Sequence, residues 1–152
     1  MLDDVRGVPS ELSAPVRLAA LVPSLTPEQR FWHDALSAAV RHRELRARAR
    51  ALSIAYLDHV EAVIRDGIRE GSIVCGDPRT SAWRIILLVD GLVPMIFVVG
   101  LIDLAEARLL LAGVVERELG LEPGAFEALA PPPVERPRQG ARLPAGGRAR
   151  PA

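Results

Sequence analysis

An all-α chain folded as an antiparallel helical bundle is the class this sequence predicts, and three observations predict it. Hydrophobic residues make up 49% of the chain but aromatics only 4%, so Leu, Ala, Val and Ile must carry the packing, which suits helices better than a sandwich or barrel. Apolar residues recur at helical spacing through successive blocks of the sequence. Between the blocks stand residues that start and stop helices, such as Gly71, Asp77-Pro78 and Gly120. No pair of segments reads as a strand hairpin. The 152 residues set one domain as the starting expectation, one that buries roughly 68–70% of its unfolded surface.

Taken in order, Ser13-Ala14-Pro15 opens a short helix that Pro23 stops. Thr26-Pro27-Glu28-Gln29 is a helix start: Thr as cap, Pro in the first turn and Gln three residues on. That helix carries Phe31, Trp32, Leu36 and Val40. The longest pattern spans 44–70. Leu45, Ala49, Leu52, Tyr56, Val60, Val63, Ile64 and Gly67 share one face, while Ile54, Leu57 and Ile68 form a weaker second stripe. A helix apolar on two sides is expected at the centre of a bundle. Arg41-His42-Arg43 fits either a kink or a continuous helix.

Residues 67–92 hold the most information. Gly71 reaches the left-handed conformation that ends a helix, and Asp77-Pro78 supplies an N-cap and first helical residue. The helix over 78–99 is apolar almost all round, with Pro94 removing an N–H from its ladder. Asp103 caps the next helix, which runs through Leu109, Leu110, Val114 and Val115 to Gly120. A brief turn of helix is expected near 124–130. Pro131-Pro132-Pro133 opens a tail without apolar periodicity, expected to be disordered. The expected division is a leader at 1–9 that is the remnant of a linker helix, a domain at 10–121 and a tail at 122–152.

Charge and chemistry exclude several function classes. Residues 1–130 hold 14 Arg against 18 Asp and Glu, so the body shows no basic footprint for nucleic acid; the excess of Arg lies after residue 130. The five Arg between 41 and 50 scatter around their helix, as a solvated surface does. One cysteine, Cys75, forms no internal disulfide. His33, His42, His59 and Cys75 lack the tight pairing of a zinc site, so no metal or cofactor is expected. No nucleophile elbow or catalytic constellation appears, so the chain is not expected to be an enzyme. No secretory signal opens the chain.

One alternative class is a small single-pass membrane protein spanning 85–102. That run carries a single charge, Asp90, whose cost at mid-span is about 2.5–3.5 kcal/mol. A helix buried within a bundle or between two subunits accounts for the same apolarity without a membrane. A buried Asp90 then needs a neighbouring Arg, a backbone group or a polar group of a partner subunit.

The order Phe31-Trp32, Ala38-Ala39, Tyr56 to Ile64, Gly67, Glu70-Gly71, Asp77, Ala82 and Asp90-Gly91-Leu92, closed by an apolar helix at 104–119, resembles a known family. It is similar to the C-terminal domain of TetR/AcrR-type transcriptional regulators of the BetI-like branch, over roughly residues 10–121. The resemblance implies a cytoplasmic, effector-sensing and dimerising domain of a repressor. Its candidate pocket is lined by Trp32, Leu36, Leu52, Tyr56, His59, Trp83 and Leu87, with a small apolar or amphipathic effector of unknown identity. Its candidate dimer interface is Leu88, Leu92, Met95, Leu109, Leu110 and Val114 on the last two long helices. The partner is a second copy or a full-length TetR-like subunit. The family's N-terminal helix-turn-helix does not precede residue 10, so no direct DNA binding by this chain alone is expected. The Arg-rich tail is not a feature of the family.

Overall fold

The computed structural model describes Pro9, residues 11–22, Leu25 and residues 29–129. The expectations for Thr26-Pro27-Glu28, for nearly all of the leader and for the tail after residue 129 lie outside these residues. Among the described residues the chain forms six α-helices: α1 Ala14–Leu21, α2 Gln29–Ala39, α3 Arg43–Glu70, α4 Pro78–Pro94, α5 Leu104–Leu119 and α6 Ala125–Leu129. A π-helical turn, Met95–Val99, continues directly from α4.

Helix α3 is the central element and packs against α1, α2 and α4. Its core stripe is Leu57, Val60, Val63, Ile64 and Gly67, meeting Leu18, Val22, Ile85 and Val115. The second stripe expected from the sequence does not form. Leu57 joins the core stripe, because it lies one heptad before Ile64, while Ile54 and Ile68 face solvent. The undecided join at Arg41-His42-Arg43 is a break: α2 ends at Ala39 and His42 is extended. Arg46 holds the corner, donating from Nε to the Ala39 carbonyl at 3.2 Å and from a terminal guanidinium nitrogen to that of Val40 at 2.6 Å.

The stop and start around residue 71 form as their residue types dictate. Gly71 has φ 74°, and the Gly67 carbonyl accepts the Ser72 and Ile73 amides at 2.9 and 3.1 Å. Asp77 Oδ1 accepts the Arg79 and Thr80 amides at 3.1 and 3.3 Å, and its Oδ2 accepts the Thr80 hydroxyl at 2.6 Å. At α5, Asp103 Oδ1 accepts the Glu106 amide at 2.8 Å. Helix α1 is capped from elsewhere in the fold: the Ala14 amide donates to Glu70 Oε2 at 3.0 Å. Nearby, the nearly buried Arg17 spans Asp66 at 2.9 Å and Glu70 at 3.2 Å.

Gly67 marks the tightest approach at any described glycine. A Cβ there would lie 2.4 Å from Ile73 Cδ1 and 2.9 Å from the Ala14 Cβ. Ile73 can swing its side chain, whereas the Ala14 methyl moves only if α1 moves. Alanine is worth about 1 kcal/mol over glycine in a helix interior, but overpacking costs about 1–3 kcal/mol. Gly67→Ala is therefore expected to destabilise the chain by about 1–2 kcal/mol in urea unfolding; an unchanged or raised midpoint would show that α1 yields freely.

Helix α6 carries the helical body past the limit expected at residue 121. Phe126 is fully buried in the core, and α6 packs against α1 and α5. Its start is held by the buried Glu116 of α5, whose Oε1 accepts the Phe126 and Glu127 amides at 3.0 and 3.4 Å. A carboxylate suits a helix N-terminus, where unpaired amides carry partial positive charge. The brief turn of helix expected near 124–130 is thus present, at Ala125–Leu129.

Pro78–Val99 is long and apolar enough to cross a membrane by length and composition. In the fold, one side of it (Ala82, Ile85, Ile86, Val89, Leu92 and Val93) is buried among the other helices. Its first turns are tied by ion pairs, Arg79 to Glu61 at 2.7 Å and Arg84 to Glu118 at 2.8 Å.

Candidate functional site

Two features of the surface stand out, and both involve α4. The first is an open cleft of about 330 Å³ lined by Phe31, His33 and Asp34 of α2, Val93 of α4 and Val98 of the π-turn. That volume lies at the lower end of the roughly 300–1,000 Å³ usual for small-molecule sites. Phe31 and Val98 form its exposed apolar rim, with His33 and Asp34 as polar handles.

Close to this cleft, two ionisable groups are perturbed. Asp90, half-buried one turn before Val93, has its carboxyl raised above the ordinary value by burial, and the charge of His33 partly opposes the rise. Tyr56 of α3 is pushed up to about 12, first by burial and then by the charge of Asp90. Its hydroxyl donates to the Leu21 carbonyl at 3.2 Å, which ties α3 to the end of α1. Further along α3, His59 is lowered, chiefly by burial and then by Arg17. The sequence calls for an Arg, a backbone group or a partner's polar group to offset Asp90; burial outweighs the opposing charge of His33.

A carboxyl raised by folding lowers stability as pH rises. Below the unfolded value of 3.8 both states are protonated and no penalty exists. As pH climbs from there toward the folded value the unfolded chain ionises first, and stability falls until the folded group ionises too. Asp90→Asn is expected to remove that loss, so the variant gains stability relative to the parent at pH 7 but not at pH 3. Thermal unfolding of both proteins across this range measures it, and a gain of equal size at both pH values would contradict the assignment.

The second feature is a set of exposed apolar residues on α4 and α5, two helices that pack against each other. Trp83 and Leu87 on α4 are 45% and 60% exposed, and Leu109 and Leu110 on α5 are 56% and 49% exposed. Leu88 on α4 and Val114 on α5 are half-buried. Each helix thus has a buried apolar side and an outer side that is also largely apolar.

The residues singled out from the sequence fall into three groups. Trp32 and Leu36 of α2 and Leu52, Tyr56 and His59 of α3 are half-buried on helices that pack together. Trp83 and Leu87 are set apart from them on the outer side of α4. The helical period requires this, because Ala82, Ile85, Ile86 and Val89 take the inner side. Of the pairing residues, Leu109, Leu110 and Val114 lie on the outer face of α5, and Leu88 and Met95 are half-buried. Leu92 is 6% exposed and belongs to the core, since it falls on the stripe of Ile85 and Val89. The sequence pattern does not mark Phe31, Asp34, Val93 and Val98 as cleft residues. The one available signal is Pro94 beside Val93, which marks where the α4 ladder is interrupted.

Residues 16–120 match the C-terminal domain of BetI-type transcriptional repressors. The chain belongs to this family. No curated protein and no solved structure matches it. The match to the BetI-type domain begins within α1 and closes at Gly120, so it takes in the cleft and the apolar face. Helix α6 lies beyond the matched span. The BetI-type assignment makes the chain a regulatory domain of the TetR family, and it accounts for a fold built wholly of helices among the described residues. Those residues hold no cluster of three or more His, Cys, Asp or Glu suited to a metal ion.

Proposed function

We propose that this chain is the effector-sensing and pairing part of a TetR-type regulator, working in the cytoplasm. The observation that carries the reading is the doubly apolar character of α4 and α5. Their inner sides build the core, and their outer sides leave Trp83, Leu87, Leu109 and Leu110 exposed on neighbouring helices. An apolar patch of this kind on a folded domain marks an interaction site. A second copy fits it best, because a two-fold pair presents the same face from both sides; a full-length TetR-like subunit presenting an equivalent face is the other pairing. The effector is a small apolar or amphipathic molecule held in the cleft between α2 and the end of α4. Its action is a shift of population between ways of holding the two subunits. Operator reading is not assigned to these residues, and specific duplex binding in a gel-shift assay would contradict that.

The membrane reading is less well supported. A spanning helix would have to draw Ala82, Ile85, Ile86, Val89, Leu92 and Val93 out of the core and break the Arg84 pair with Glu118. Sedimentation of the chain without detergent tests the proposal. A dimer at micromolar concentration supports it. A monomer throughout, or recovery only in the membrane fraction after carbonate washing, refutes it.

A further inference from the structure

We infer that the π-turn Met95–Val99 is the coupling element between the cleft and the pairing face: occupation of the cleft switches this turn between π and α hydrogen bonding, and the switch moves α5 against α4. The inference rests on the reading of the cleft as the effector site and of α4 and α5 as the pairing face.

The cleft straddles this turn. Val93 lies just before Pro94 and Val98 lies within the turn, while the opposite wall is α2. An occupant that changes the separation of Val93 and Val98 therefore acts directly on the pitch between them. Pro94 has no N–H to give the Asp90 carbonyl, so the α-ladder is already interrupted here. The Met95 amide turns instead to the Leu92 carbonyl.

A π-turn holds one residue more than the α-turn it replaces. Converting it to α rotates the chain beyond the turn by about 100° and moves it by about 1.5 Å along the axis. The packing that opposes such a conversion is partial: Ile96 and Phe97 pack against the core, but no residue of the turn is fully buried and Val98 is 71% exposed. The end of the turn is tightly gathered. Gly100 stands at φ 65°, and the Leu101 amide donates to the Met95 carbonyl at 2.9 Å. Only Gly100 to Ile102 separate the turn from the Asp103 cap of α5, a connection short enough to pass part of the rotation on. Displacement is passed to α5, whose outer side carries Leu109 and Leu110. The turn closes α4 at the left-handed Gly100 rather than interrupting a continuing helix, and a one-residue change of register there is a discrete step of the kind a switch requires.

The test uses the full chain, with N-phenyl-1-naphthylamine as a neutral apolar probe. Probe binding is read by fluorescence, amide exchange by mass spectrometry and the monomer–dimer constant by sedimentation. Saturating probe is expected to change exchange across 95–101 and to shift the dimer constant at least about fivefold. Deleting Val99, which does not line the cleft, imposes α geometry on the turn. That variant is expected to bind the probe and to dimerise with a constant that no longer responds to it. If the deletion does not fold, Pro94→Ala, which restores the missing N–H, is read the same way. A dimer constant that shifts with no change in exchange at 95–101, or a variant that keeps the full response, overturns the coupling role and leaves the sensing function standing. A chain that neither binds the probe nor dimerises overturns both.

Discussion

On the proposed pairing, Leu109→Glu is expected to convert a dimer to monomer without loss of helix. Leu109 is 56% exposed in the isolated fold, so the substitution removes no core contact. In a two-fold pair each substitution appears twice, and the arginines of α4, Arg79 and Arg84, are already paired with Glu61 and Glu118. An unpaired buried charge costs about 3–5 kcal/mol, which weakens association by more than about a hundredfold. Sedimentation at micromolar protein is the measurement, with circular dichroism to show that the helices persist. Ile54→Glu, on the exposed side of α3, is the control and is expected to leave the dimer intact. A Leu109→Glu variant as dimeric as the parent would remove this face from the interface.

Phe126→Ala is expected to cost about 3–5 kcal/mol, the range for truncating a buried aromatic. The loss has two parts. The ring leaves a cavity where α6 meets α1 and α5, and a detached α6 strips Glu116 of the two amides it accepts. The buried carboxylate is then left without its capping bonds, which adds to the transfer cost. Urea unfolding at fixed protomer concentration checks the value, since the proposed pairing would make stability concentration-dependent. A cost below about 1 kcal/mol would mean that α6 contributes nothing to the core.

Local rules make the helix limits legible. Gly71, Asp77-Pro78, Asp103 and Gly120 each act through their own backbone preference or one short side chain, and such effects need no tertiary information. The break at His42 is not legible, because the Arg46 bonds that hold it depend on the folded corner. Faces of helices are partly legible. On α3 the strong stripe identifies the core, but on α4 both sides are apolar and composition alone cannot say which turns inward. That is why a sequence reading groups Trp83 and Leu87 with the pocket and Leu92 with the interface. The cleft is the least legible feature, since it joins residues some 60 positions apart around a turn whose hydrogen bonding no propensity specifies. Arg17 is likewise invisible: nothing local distinguishes it from a surface arginine, and its partners Asp66 and Glu70 lie in another helix.

The cap on α1 bears on the order in which the chain assembles. The contacts joining α3, α4 and α5 in sequence close over short connections, and such local pairings form early at low entropic cost. The Ala14 bond to Glu70 closes a separation of 56 positions, and the Arg17 bridge to Asp66 one of 49. Helix α1 therefore docks onto a bundle already largely formed, with a φ-value near zero at Arg17 as its kinetic signature. By the same logic it is the first helix to leave when the chain unfolds.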